Sequence, residues 1–171
     1  MLTIFEPHDQ QYTEDRTDIL VYTTPILKSD LEVTGPVLVK LYASSSAVDT
    51  DFCAKLVDVW PDGKAYNLVD GVTRARYRNS ISKPKLIQPG EVYEYTINLR
   101  NTSNVFKAGH CIRLEISSSN FPKWDRNLNT GHSTTQDAEI KVALQTVLHT
   151  TEYPSHIVLP IIPRCRQTHA N

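Results

Sequence analysis

Hydrophobic and polar positions alternate with a period of two over much of the chain, the mark of a half-buried β-strand. The cleanest run spans 109–117, where Ile112, Leu114 and Ile116 point one way and Cys111, Arg113, Glu115 and Ser117 the other. Residues 92–100 repeat it, with Tyr93, Tyr95, Ile97 and Leu99 set against Glu94, Thr96, Asn98 and Arg100. Earlier, ILVYTT at 19–24 reads as a strand stopped by Pro25, and Thr34-Gly35-Pro36 is expected to turn the chain into a strand at 37–44. FCAKLVDVW at 52–60 is apolar on both sides, and Pro61-Asp62-Gly63 predicts a hairpin returning through 65–69, where Asp70-Gly71 ends it. A strand at 72–78 is expected to place Arg74, Arg76 and Arg78 on one face. Residues 138–150 suit either period, and their β-branched content favours strand; 156–162 is the last β segment.

No capped run of period 3.6 and no repeat at a fixed interval is present. Eight or more short strands between Pro, Gly and Asp turns predict an all-β, antiparallel sandwich or barrel. The domain is expected at 18–163, between an irregular lead-in at 1–17 and a loose tail at 164–171. After Ser117 the alternation stops. Pro122 disfavours both ladder and helix, and Asp125, Arg126, Asn127, Asn129 and Gly131 carry turn chemistry, so a core strand hands over to a loop bearing Phe121 and Trp124.

At 171 residues the chain fits one domain. Its net charge of -1 supplies no basic field for nucleic acid or an anionic membrane. No apolar run approaches the ~20 residues of a membrane span, and the first ten residues lack the pattern of a secretory signal. Three cysteines, Cys53, Cys111 and Cys165, form no Cys-x-x-Cys pair and fit a reducing cytoplasm; Cys53 and Cys111 are expected to be buried in apolar strands.

None of the six glycines frames a Gly-x-Ser-x-Gly elbow, so no catalytic nucleophile is assigned, although His132 lies near Asp125 and Ser133. Histidines 8, 110, 132, 149, 156 and 169 show no metal-ligand spacing, and no cofactor or metal is called for. Asp49 and Asp51 lack the pattern of a calcium loop and fit a tight connection held by Asx hydrogen bonds. The row Arg74, Arg76 and Arg78 suits either an anionic partner or, the weightier reading, a solvated face with cross-strand ion pairs.

Five segments, DILVYTTPILKSDLEVTGPV, VDTDFCAKLVDVWPDG, DGVTRARYRNS, PGEVYEYTINL and the stretch from Gly109 to Gly131, resemble in order and spacing a known family across 18–162. It is the C-terminal non-catalytic domain of X-Pro dipeptidyl-peptidase and cocaine esterase-like hydrolases, the group of the α-amino acid ester hydrolases and glutaryl-7-ACA acylase-like proteins. The resemblance implies a jelly-roll sandwich of galactose-binding type, packed against an α/β-hydrolase catalytic domain and helping to wall its cleft. The sequence has no counterpart of that catalytic domain, so the family's triad maps onto no residue here.

The expected partner is therefore such a catalytic domain, in cis or in trans. Its docking side is expected at the loop 120–129, with Phe121, Trp124, Asp125, Arg126 and Asn127, and at the connection 48–52, with Asp49, Asp51 and Phe52. Two alternatives stand beside it. One is a free-standing module that binds carbohydrate through Trp124, Asp125, Asn127 and Asn129; the other is a structural domain that self-associates as a homodimer.

Overall fold

The computed structural model describes residues 9–132 and 138–163. Ser133, Cys165, His8, His169 and the tail lie outside them. Nine strands form two antiparallel sheets: β1 (Leu20–Thr23), β2 (Leu31–Ser45), β3 (Asp51–Val59), β4 (Ala65–Arg74), β5 (Tyr93–Phe106), β6 (Cys111–Ser117), β7 (Gln145–Val147), β8 (His156–Val158) and β9 (Ile161–Ile162). The first sheet has the order β1-β6-β3-β4. In the second, β2 pairs with β5 along one edge and with β9, β8 and β7 in turn along the other. The architecture is an all-β sandwich, one of the two forms that the alternation allows and the one that the family resemblance implies.

Inward positions of both sheets make one core: Val33, Val37, Val39 and Leu41 from β2, Phe52 and Leu56 from β3, Tyr95, Ile97 and Leu99 from β5, and Ile112 and Ile116 from β6. Strand β3 is buried on both sides because its outer face is covered too. A smaller cluster of Val57, Val59 and Ala65 lies there, and residues 9–16 cross the same sheet. Within them a single helical turn, α1 (Gln11–Glu14), is anchored where Gln10 N donates to Ala65 O at 2.7 Å.

Two expected turns are strand interior. At Gly35-Pro36 the chain stays in β2, opposite Thr102 and Asn101, and a register shift before Leu38 absorbs the irregularity. A bulge tolerates a proline without a ladder hydrogen bond, so no reversal is needed. At Asp70-Gly71 the reason is packing. A Cβ on Gly71 would stand 2.3 Å from Asn98 O of β5, so glycine marks where the two sheets touch rather than where the chain turns. The expected strand at 72–78 also gives way: β4 ends at Arg74 and Ala75–Tyr77 is a 3-10 turn. Of residues 138–150, only Gln145–Val147 pairs as a strand.

Candidate functional site

The connection from β2 to β3 carries Asp49 and Asp51, and both carboxylates are buried. Burial of charge is costly unless partners are close and well aimed. Arg74, at the end of β4, donates from Nε and Nη2 to the two Asp51 oxygens at 2.9 and 3.0 Å. That side-by-side bonding raises the arginine pKa still further. Arg76, one residue into the 3-10 turn, donates to Asp49 from its backbone N at 2.9 Å and from Nε at 2.8 Å. Its Nη2 reaches on to His132 O at 3.0 Å.

Asn127 completes the group. Its Nδ2 donates to Asp49 Oδ2 at 2.9 Å and to Asp51 Oδ1 at 2.8 Å, while its Oδ1 accepts from Asn129 N at 2.9 Å. Five side chains from three segments thus tie the 48–51 connection, the end of β4 and the loop 120–132 into one unit. Gly131 lies against Val48, where a Cβ would come within 2.9 Å of Val48 Cγ2.

The arginine row is accordingly not one face. Arg74 and Arg76 turn to two different buried carboxylates, and Arg78 donates to Ala75 O and Lys85 O with its guanidinium over the Tyr93 ring. The 3-10 turn breaks the alternation that would have aligned them. Cross-strand pairing with aspartate holds for Arg74, but the pair is half-buried rather than solvated. Each of the three guanidiniums already bonds an acceptor within the chain.

The expected docking residues divide. Phe52 is 1% exposed and stacks at 4.7 Å on Tyr95, so it is core and offers a partner nothing. Asp49, Asp51 and Asn127 are consumed by the buried group above. The connection 48–52 is therefore an internal fastening, because two carboxylates there take up five donor nitrogens of the chain itself. Phe121, Asp125 and Arg126 stand at the surface, Phe121 at 65% exposure with Arg126 above its ring. Trp124 is half-buried beneath Lys123, whose Nζ bonds Asp70 Oδ1 at 2.5 Å; Asn120 also donates to Asp70, at 3.1 Å. The sugar platform imagined around Trp124 does not assemble, since Asn127 is spent on Asp49 and Asp51 and the Asn129 Nδ2 donates to Lys141 O at 2.8 Å.

One feature escaped the sequence reading. Segment 138–144 runs beside the loop, pinned by Lys141 N to Leu128 O at 3.0 Å and by Ser46 N to Leu144 O at 3.0 Å. Along it Ile140, Val142 and Leu144 all face out, Val142 at 99% exposure. Their spacing of two is visible in the sequence, but alternation alone does not say which side is the core.

Titratable side chains elsewhere pair off structurally. His110 Nδ1 lies 2.9 Å from Asp58 and Tyr22 Oη 2.8 Å from His149 Nε2. Among the described residues no cluster of His, Cys, Asp or Glu could hold a metal ion. Cys53 and Cys111 are free thiols, and burial pushes Cys53 up to about 12. Among the described residues no helix is long and apolar enough to cross a membrane.

A family model, the X-Pro dipeptidyl-peptidase C-terminal non-catalytic domain, matches residues 4–158. The chain belongs to that family. It is 52% identical over 160 residues to the cocaine esterase of Rhodococcus sp. (strain MB1 Bresler), a match that takes in 92% of this chain and 28% of the esterase. An aminopeptidase from the marine sediment archaeon Thaumarchaeota archaeon superimposes with a TM-score of 0.89 at 37% identity, over 92% of this chain and 28% of that one. An α-amino acid ester hydrolase superimposes with a TM-score of 0.87 at 31% identity, over 91% and 27%. The chain thus spans just over a quarter of the relatives it matches. In this non-catalytic domain the buried Asp49-Asp51-Arg74-Arg76-Asn127 group fastens loops, and the exposed strip lies next to them.

Proposed function

We propose that this domain docks on an α/β-hydrolase catalytic domain and helps to wall its active-site cleft, using the strip Ile140, Val142 and Leu144 together with Phe121. The observation that carries the reading is the outward strip on a backbone that is itself pinned. Four apolar side chains held in water, in a chain of just over a quarter of its relatives' length, mark a surface that another part of such a hydrolase covers. Hydrogen bonds to Leu128 O and Ser46 Oγ and from Asn129 Nδ2 hold the segment in place, so the partner meets a preformed face. Catalysis belongs to that partner; His110 and His149 are engaged with Asp58 and Tyr22 rather than with a nucleophile. Free thiols at Cys53 and Cys111 suit a reducing compartment.

The test mixes the purified chain with the catalytic portion of a family hydrolase whose own C-terminal domain has been deleted. Sedimentation should show a one-to-one complex, and ester turnover should be seen only in the partner. Absence of a complex, or a homodimer of this chain in its place, overturns the proposal.

A further inference from the structure

We propose that Glu14 and Glu115 share one proton, and that this proton latches residues 9–16 onto the outer face of the first sheet. Glu115 projects from β6 on that face and its side chain is 2% exposed. Both of its carboxyl oxygens, and Oε1 of Glu14, are buried, and among the described residues no hydrogen-bond donor reaches them. Glu14 reaches down from α1, its Oε2 taken by Arg113 Nη1, and its carboxyl is within bonding reach of Glu115. Two facing carboxylates would leave three acceptors without donors and two like charges in contact. A single proton on Glu115 turns its carboxyl into a donor toward Glu14 and removes one charge.

Among the described residues the charged groups that face the pair have partners of their own. Lys55 of β3 sits 3.9 Å from Glu115 Oε2, beyond hydrogen-bond length, and donates a hydrogen bond instead to Gln10 Oε1 at 2.7 Å. Arg113 of β6 is committed to Glu14 and to Thr23 Oγ1. Asp70 of β4, opposite Lys55 in the ladder, is held by Lys123 and Asn120, and β1 presents Val21 opposite Glu115. Burial first, then the Glu14 carboxyl, push Glu115 up to about 7 against the pull of Lys55 and Arg113.

The rest of the segment is attached by neutral bonds, Gln10 N to Ala65 O and Gln11 Nε2 to Gly63 O at 2.6 Å, and by Ala65 N to the Asp9 carboxylate at 3.1 Å. A change at Glu115 leaves all of these in place and so isolates the part of the latch that the carboxyl pair contributes. An acid whose folded pKa lies above its free value binds its proton more tightly when folded. The extra hold on residues 9–16 is thus complete below about 4.5, falls as pH rises, and is gone above about 7.

Hydrogen exchange on the whole chain, corrected for intrinsic rates, tests this at the amides of residues 10–16. Protection should fall about tenfold per pH unit between about 5 and 7 and then level off. E115Q, a neutral donor of the same shape, should hold the low-pH protection across the range, and E14Q, which removes the like charge but not the burial, should make the fall shallower. Infrared spectroscopy should find a protonated-carboxyl stretch at pH 5 that is missing from E115Q. A wild-type profile that is flat from pH 5 to 7, or an E115Q profile that falls like the wild type, would overturn the proposal.

Discussion

One amide nitrogen, Nδ2 of Asn127, bridges two buried carboxylates, bonding Asp49 at 2.9 Å and Asp51 at 2.8 Å. With Arg74 and Arg76 on the far sides, each carboxylate meets donors from two directions. The loop 120–132 is thereby part of the sandwich rather than an appendage.

Replacing Asn127 tests that role. Asn127→Ala leaves each carboxylate a donor short and should cost about 1–3 kcal/mol. Asn127→Asp sets a third carboxylate against the first two and should cost ~3–5 kcal/mol. Urea denaturation measures both; equal, small losses would show that the bridge contributes little.

Gly71→Ala is expected to be the most damaging methyl addition in the chain. Its Cβ would meet Asn98 O at 2.3 Å, and backbone on the opposing sheet cannot swing aside as a side chain can. Separating β4 from β5 should cost about 3 kcal/mol or more, read as a drop in Tm. Gly90→Ala, where a Cβ meets nothing within 4 Å but φ is +83°, provides the comparison for backbone strain alone.

The thiols should separate by burial. With Cys165 replaced by serine, native Cys111, half-buried at the start of β6, should react with a disulfide reagent before Cys53. Cys53 should react only at the rate of unfolding, because burial holds its thiol at about 12. Equal rates would contradict the packing around β3.

Particular residues show what the sequence could disclose. Ile112, Leu114 and Ile116 alternate because a half-buried strand requires it, and β6 lies where they place it. The arginines from 74 to 78 alternate as well, but a tertiary bond, Arg76 N to Asp49, winds them into a 3-10 turn. Local spacing cannot register an aspartate 27 residues away. Gly35 and Gly71 are alike in sequence as breakers, yet one relieves a bulge and the other a contact between sheets. Which apolar side chains are bare is hidden from the sequence for a related reason. Phe52 and Val142 are both apolar, and only the pairing of strands decides that the first is core and the second bare.

Docking through that strip is the central claim, and the affinity of Val142→Asp for the catalytic portion of the Rhodococcus cocaine esterase, freed of its own matching 160 residues, tests it most directly. Ile81→Asp, at an apolar side chain outside the strip that is 86% exposed, serves as the reference. Calorimetry should find Val142→Asp weakened about 30-fold or more, ~2 kcal/mol, with the fold intact and Ile81→Asp unchanged. If Val142→Asp binds as tightly as the unaltered chain, the strip is not the docking face.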